Sequence, residues 1–368
     1  MRSLPASLLL AFSSLTLGFA QPQKPTKASD TLPASALQPY GRTRVNQQQQ
    51  LELISSAAHL GFSFEGTECQ IFAVLPNGQD HNYLQYELDG VYQKRLKVVG
   101  ASSAPLVITA PRAGKHTVWL YKATEAHTGP IAIQKIAGQA LKALPNPKLP
   151  LIEFIGNSIT CGAAADPSEV PCGSGEYHDQ HNAYLAYGPR VARALHTNFV
   201  LSSVSGIGIY RNWNSDGPAM PQVYEKVDFQ EQNPVRWNFA TYSPKVVSIA
   251  LGTNDLSNGD GKTPRLPFDS TRYVTNYLSF IKLVKAKYPQ AQLALLSSPM
   301  ASGKNRLLLQ RCLTAVQQQT NAAYPTAKPV ATYFFEPMQA RGCSGHPNVE
   351  DHAILAKELE PFFQKLLR

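Results

Sequence analysis

The stretch "LIEFIGNSITCG", Leu151 to Gly162, decides how the C-terminal half of this chain is read. An apolar run from Leu151 to Ile155 meets Gly156-Asn157-Ser158. Short, nearly continuous apolar runs read as strands buried on both faces. Gly-Asn-Ser is ordinary turn chemistry. A strand that only packs needs such a turn, and so does a strand that aims a hydroxyl into a crevice. What the neighbouring strands carry at their ends decides between the two.

Outward from Leu151, strand-like runs alternate with segments of helical period. "PLIEFIG" precedes "YLAYGPRVARAL", and "NFVLSSVSG" follows. "KVVSIALG" precedes "STRYVTNYLSFIKLVKAKYP", "QLALLSS" precedes "NRLLLQRCLTAVQQQ", and "PVATYFF" precedes "NVEDHAILAKEL". This alternation predicts an α/β domain with a five-stranded parallel sheet, over residues 148–368. Open parallel sheets bind ligands beyond the carboxyl ends of their strands. Those ends carry Ser158, then Ser205-Gly206-Ile207-Gly208, then Gly252-Thr253-Asn254-Asp255, and after the fifth strand Gly345-His346-Pro347-Asn348. Ser297-Ser298-Pro299, after the fourth, reads as a plain turn.

The set suits acyl transfer. A serine hydroxyl is a weak nucleophile until a neighbouring base takes its proton. His346 precedes a proline, which biases it away from helix. Asn348 then reads as the N-cap of the last helix, with Asp351 at its third position. The N–H groups of Ser158 and Gly206 and the Asn254 amide supply candidate oxyanion donors.

Upstream the texture differs. "AAHLGFSFEGTECQIFAVL", "NYLQYELDGVYQKRLKVVG", "APLVITAP" and "KHTVWLYKAT" are β-rich runs divided by turns such as Asn77-Gly78 and Asp89-Gly90. They predict an antiparallel β-sandwich over residues 49–144. A Pro-rich joint, "ALPNPKLP", follows. Residues 21–48 read as a linker poor in core formers. Residues 1–20, with one Arg before an apolar run, read as a secretory signal peptide cleaved near Ala20. The run is too short and too Ser-rich for a transmembrane anchor.

The 368 residues are 43% hydrophobic and 16% charged, the composition of a globular protein. The net charge is +9, and removing Arg2 leaves 9 − 1 = +8. The basic residues are scattered, which argues against a nucleic-acid partner. Export permits disulfides, and Cys161 and Cys172 bracket a loop, so their pairing is expected.

The four blocks at the strand ends resemble the SGNH hydrolases, also called GDSL esterases. With the N-terminal β domain and phrases such as "ELDGVYQKRL", "SGIGIYRNW" and "LGTND", the chain resembles carbohydrate esterase family 2 over nearly all of its length from about residue 50. That resemblance implies a jelly-roll followed by a flavodoxin-like hydrolase domain. It also implies removal of acetyl groups from polysaccharides or sugars without a cofactor. Two positions depart from the superfamily pattern. Asn157 stands where Asp is common, and Cys343 stands where an Asp usually precedes the His by three residues. A neutral thiol cannot support the imidazolium as a carboxylate does. The resemblance therefore implies a Ser158–His346 dyad; the third partner is unassigned, with Glu336 and Asp351 as the carboxylates that could substitute.

Ile209 to Pro244 is a long connection, and such loops are commonly functional. Its Tyr210 and Trp213 are candidates for stacking on sugar rings. His178-Xaa-Xaa-His181 lacks the companions of a recognisable metal set, so no metal is expected. Two alternatives stay open: a lipase or thioesterase of the same superfamily, and a non-catalytic glycan-binding protein, which the absent acid at Cys343 would favour.

Overall fold

The computed structural model describes residues 30–76, 78–100 and 102–368. The expected signal peptide and the first part of the expected linker lie outside them. In the N-terminal half, ten strands form one antiparallel sheet: β1 (Asp30–Pro33), β2 (Pro39–Tyr40), β3 (Thr43–Val45), β4 (Leu51–Leu53), β5 (His59–Val74), β6 (His81–Leu88), β7 (Val91–Tyr92), β8 (Leu96–Val99), β9 (Leu106–Lys122) and β10 (Ile131–Ala143). The path is β3-β4-β10-β5-β9-β6-β7, with β1 beside β10, β2 beside β5 and β8 beside β6.

The expected sandwich is thus one hydrogen-bonded sheet curled over its own core. The register of β5 against β9 shifts between Gly66 and Glu68. Before the shift, Leu60, Phe62 and Phe64 face the core; after it, Cys69 and Ile71 do. Across the shift β5 advances two residues while β9 advances five, and such an irregularity bends the strands and changes which face of β5 turns inward, so both ends of β5 reach a single cluster.

Residues 30–45 correct the linker expectation, since they supply β1, β2 and β3. These strands have two to four residues each and carry no periodicity to read. Backbone pairing to β10, β5 and β4 holds them.

Beyond the joint, β11 (Leu151–Gly156), β12 (Asn198–Ser203), β13 (Val246–Ala250), β14 (Gln292–Leu296) and β15 (Ala331–Tyr333) form a parallel sheet in the order β12-β11-β13-β14-β15. Helices α1 (Ser158–Cys161), α2 (Tyr187–Ala194), α3 (Met220–Val223), α4 (Ser270–Lys287), α5 (Gly303–Ala323) and α6 (Val349–Leu367) accompany it. Two hydrophobic clusters, one around Ile249, Tyr273 and Leu313 and one around Phe154, Val191 and Phe363, bury β-sheet and helix residues. The strand order reverses at β11, and α/β sheets of this order hold ligands at that switch point. Gly156 pairs with Ser203 on one side and Ala250 on the other. The three loops that follow therefore leave the sheet side by side.

The two halves interlock. Arg42, just before β3, is fully buried against the C-terminal domain. Its Nη1 donates to the carbonyls of Tyr224 and Lys226 at 2.7 and 2.5 Å, and its Nε to Ser202 Oγ at 3.4 Å. Ser202 and Tyr224 hydroxyls in turn donate to Glu153. Removing one member of such a buried charge cluster costs about 3–5 kcal/mol. No described helix is long and apolar enough to cross a membrane.

Candidate active site

Gly156 ends β11 because no side chain fits there: a Cβ would lie 2.0 Å from Thr160 Oγ1. Asn157 caps α1, its side chain accepting from Ile159 N–H at 3.1 Å. Asn and Asp are equally good caps, so the departure at this position leaves the turn intact. Ser158 is the first residue of α1, where the N–H has no intrahelical acceptor.

Ser158 Oγ lies 2.9 Å from His346 Nε2, across 188 residues of chain. His346 Nδ1 lies 3.1 Å from the carbonyl oxygen of Ser344. A carbonyl only accepts, so Nδ1 carries the proton and Nε2 is left to accept from the serine hydroxyl. Burial lowers the His346 pKa below its ordinary value, while the Ser344 carbonyl pulls it back up. The imidazole is therefore neutral and basic at neutral pH.

Neither candidate for a third partner reaches His346. Glu336 pairs with Arg306 on the surface. Asp351 accepts from Asn348 N–H at 3.1 Å and from Arg341 Nε at 2.7 Å, completing the cap of α6. The backbone carbonyl of Ser344 occupies that place. Ser344 adopts φ 51°, a left-handed conformation that side-chain-bearing residues seldom take. Such strain persists only where the surroundings fix it.

Here the fixing includes a disulfide. Cys172 and Cys343 are bonded, with Cα atoms 5.2 Å apart. This corrects the expected Cys161–Cys172 pair. Cys161 closes α1 and is buried against Ser203 Oγ at 3.2 Å, with its thiol pKa raised by burial. Cys172 lies on an exposed loop and bonds Cys343 instead. The loop of His346 is also held by Cys343 N–H to Ala164 O at 2.9 Å and Gly342 N–H to His346 O at 2.7 Å.

Gly206 has φ +76°, which suits glycine, and Trp213 N–H donates to its carbonyl at 2.7 Å. Its own N–H has no hydrogen-bond partner among the described residues. Asn254 Nδ2 donates to Ile207 O at 2.8 Å, which orients the amide; its second N–H is left for the cleft. The cleft beside Ser158 holds about 400 Å³ and is lined by Trp213, Asn254, Asn258, Met300, Asn305 and His346, among others.

Of the two aromatic candidates, Trp213 is 47% exposed and lines this cleft. Tyr210 does not: it is buried, packs edge-on to Phe268 and accepts from Asp269 N–H at 3.1 Å. The long loop packs into the core of the sheet domain, and Tyr210 is part of that cluster. Asp255 folds that loop by accepting from Ile209, Tyr210 and Arg211 N–H groups. Burial pushes its carboxyl up to about 6. His178 and His181 do not converge on one point. His178 and Asp179 lie with His81, where His81 Nε2 is already paired with Asp179 Oδ1 at 2.5 Å.

Sequence reading missed Ser344, because a backbone carbonyl has no residue-type signal. It also missed Glu125, on the loop after β9. This carboxylate accepts from Ser205 N–H at 2.5 Å, next to Gly206.

A five-stranded doubly wound sheet with a Ser–His pair at its switch point, preceded by a curled β domain, is the architecture of an SGNH-type hydrolase. Residues 154–349 match the model of the GDSL-like lipase/acylhydrolase family, and residues 40–147 match that of the carbohydrate esterase 2 N-terminal domain. The chain belongs to the GDSL-like lipase/acylhydrolase family and carries the carbohydrate esterase 2 N-terminal domain ahead of it. It is 29% identical over 317 residues to a cellulase/esterase of Acetivibrio thermocellus, covering 83% of this chain but only 36% of that protein. It is 24% identical to an acetylxylan esterase/glucomannan deacetylase of Cellvibrio japonicus, covering 98% of each. A family two carbohydrate esterase from Clostridium thermocellum, solved with cellohexaose, superposes with TM-score 0.77 at 26% identity, over 92% of this chain and 99% of that one.

Proposed function

We propose that this protein is an exported serine esterase that removes O-acetyl groups from polysaccharides or their oligosaccharides. Ser158 Oγ attacks the acetyl carbonyl carbon while His346 Nε2 takes the hydroxyl proton. The oxyanion is held by the Ser158 and Gly206 N–H groups and the free N–H of Asn254. His346 returns the proton to the departing sugar oxygen, leaving an acetyl-serine. Water, deprotonated by His346, then releases acetate and restores Ser158.

The observation that carries this reading is the alignment of Ser344 O, His346 and Ser158 Oγ through two hydrogen bonds. With a carbonyl at Nδ1, the missing acid at Cys343 no longer favours a purely glycan-binding role. The cleft argues against long acyl chains, since Ser257, Asn258, Ser302 and Asn305 give it a polar lining. Trp213 is a large exposed ring in its lining, suited to stacking on a sugar. Relatives named for acetylxylan and glucomannan support a plant cell-wall polysaccharide as substrate. The test is acetate release from acetylated xylan and glucomannan, beside p-nitrophenyl esters of increasing chain length. Turnover should be highest for acetate and fall steeply beyond it. A preference for octanoate, or binding of polysaccharide with no acetate released, would contradict the proposal.

A further inference from the structure

We propose that Glu125, supplied by the N-terminal domain, is a positioning residue for the oxyanion donors, so that the hydrolytic site is complete only with both domains in place. This rests on the reading of Ser158, Gly206 and Asn254 given above.

Glu125 precedes a short turn, Ala126–Thr128, in the loop between β9 and β10. The loop is fixed from within: Lys122 Nζ donates to the carbonyls of Thr124 and Glu125 at 3.1 and 2.6 Å. From it the Glu125 side chain, almost fully buried, crosses into the C-terminal domain. Oε2 accepts from Ser205 N–H at 2.5 Å and from Cys161 Sγ at 3.5 Å. Oε1 lies 3.7 Å from His181 Nε2. His181 Nδ1 accepts from Ala164 N–H at 3.4 Å, so the His181 proton sits on Nε2 and faces the carboxylate.

These partners are the supports of the site. Ser205 immediately precedes Gly206, whose N–H is an oxyanion donor in the proposed mechanism. Cys161 closes the single-turn helix that Ser158 opens. Ala164 accepts the Cys343 N–H that anchors the His346 loop. One carboxylate thus touches two of the supports directly and a third through His181. Hydrogen bonds to an ionised acceptor are roughly twice as strong as neutral ones. Burial opposes the charge of Glu125, but His181 and the Ser205 N–H hold its carboxyl down at about 2, so it stays ionised. Glu87, another carboxylate at the domain boundary, lacks this connection. It accepts from the Tyr121 and Tyr184 hydroxyls and touches none of these supports.

The experiment uses the full chain. Glu125→Gln removes the charge that faces both Ser205 N–H and His181 Nε2, and leaves one acceptor oxygen in place of two. Glu125→Asp keeps the charge but withdraws it by one methylene. For both, kcat on p-nitrophenyl acetate should fall at least about tenfold with KM within about twofold, the pattern of an interaction made only in the transition state. The inhibition constant of phenylboronic acid, which forms a tetrahedral anion on the serine oxygen, should rise by the same factor. Glu87→Gln should leave both within about twofold of wild type. Wild-type kcat and boronate affinity in either folded Glu125 variant would overturn the inference. So would an equal loss in Glu87→Gln, which would mean general loosening of the domain boundary. Ser158→Ala, assayed alongside, separates the two claims. If wild-type turnover does not depend on Ser158, the reading of the site fails. If it does and the Glu125 variants match wild type, only the role of Glu125 fails.

Discussion

The carbonyl of Ser344 faces Nδ1 of His346 at 3.1 Å, two residues apart on one loop, and occupies the place of a catalytic acid. A carbonyl fixes the tautomer and ring orientation as a carboxylate does, but adds no full negative charge. The position of that carbonyl depends on backbone geometry alone, so whatever holds the loop holds the base.

The Cys172–Cys343 disulfide is the covalent part of that hold, and it closes a sequence separation of 171 residues. Replacing both cysteines by serine should lower stability by about 2–5 kcal/mol. It should also reduce kcat more than KM, because His346 loses its register on Ser158. Urea denaturation and aryl-acetate kinetics on the double variant measure both. Unchanged kcat would show that the backbone bonds of the loop suffice.

The loss of activity at acid pH should begin below the pH at which an ordinary histidine takes up its proton. Burial lowers the His346 pKa, and the neutral ring is the working base. The acid limb of the kcat/KM profile should therefore have its midpoint below about 6.5. A midpoint above that value would contradict the assignment. Stability carries a related signature. His59 and His352 are held neutral by burial, with values lowered to about 4 and about 3. The unfolded chain binds their protons first, so their contribution is present above about pH 6.5 and lost as pH falls toward those lower values. Thermal melts from pH 7 to pH 4 read this directly.

Trp213→Ala should separate polymer from small substrate. The ring stands exposed beside Ser158 but is not among the donors or the base. Loss of a stacking face worth about 1–1.5 kcal/mol raises KM roughly tenfold. That rise is expected on acetylated oligosaccharides, with p-nitrophenyl acetate nearly unaffected. Equal effects on both substrates would place the tryptophan in the chemistry instead.

The C-terminal sheet was legible because all five of its strands are short apolar runs between amphipathic helices, a pattern backbone pairing alone cannot produce. The meeting of Ser158 and His346 at one end of the sheet was legible because both follow strand-like runs, whose carboxyl ends leave a parallel sheet together. The strands within residues 30–45 were not, since pairing of two to four residues leaves no period. The cysteine pairing was misread because nearness in sequence favoured Cys161, whereas folding buried it against Ser203 and brought Cys343 to Cys172. Tyr210 was misplaced for a similar reason: an aromatic in a long loop reads alike whether it lines a cleft or packs into the domain core. Glu125 gave no signal at all, because its partners, Cys161, His181 and the Ser205 N–H, lie 36 to 80 residues away and form no motif with it.

The most direct measurement is p-nitrophenyl acetate hydrolysis by Ser158→Ala, with the melting temperature recorded on the same sample. The account predicts loss of at least about a thousandfold in kcat with an unchanged melt. Turnover close to wild type in a folded Ser158→Ala protein would contradict it.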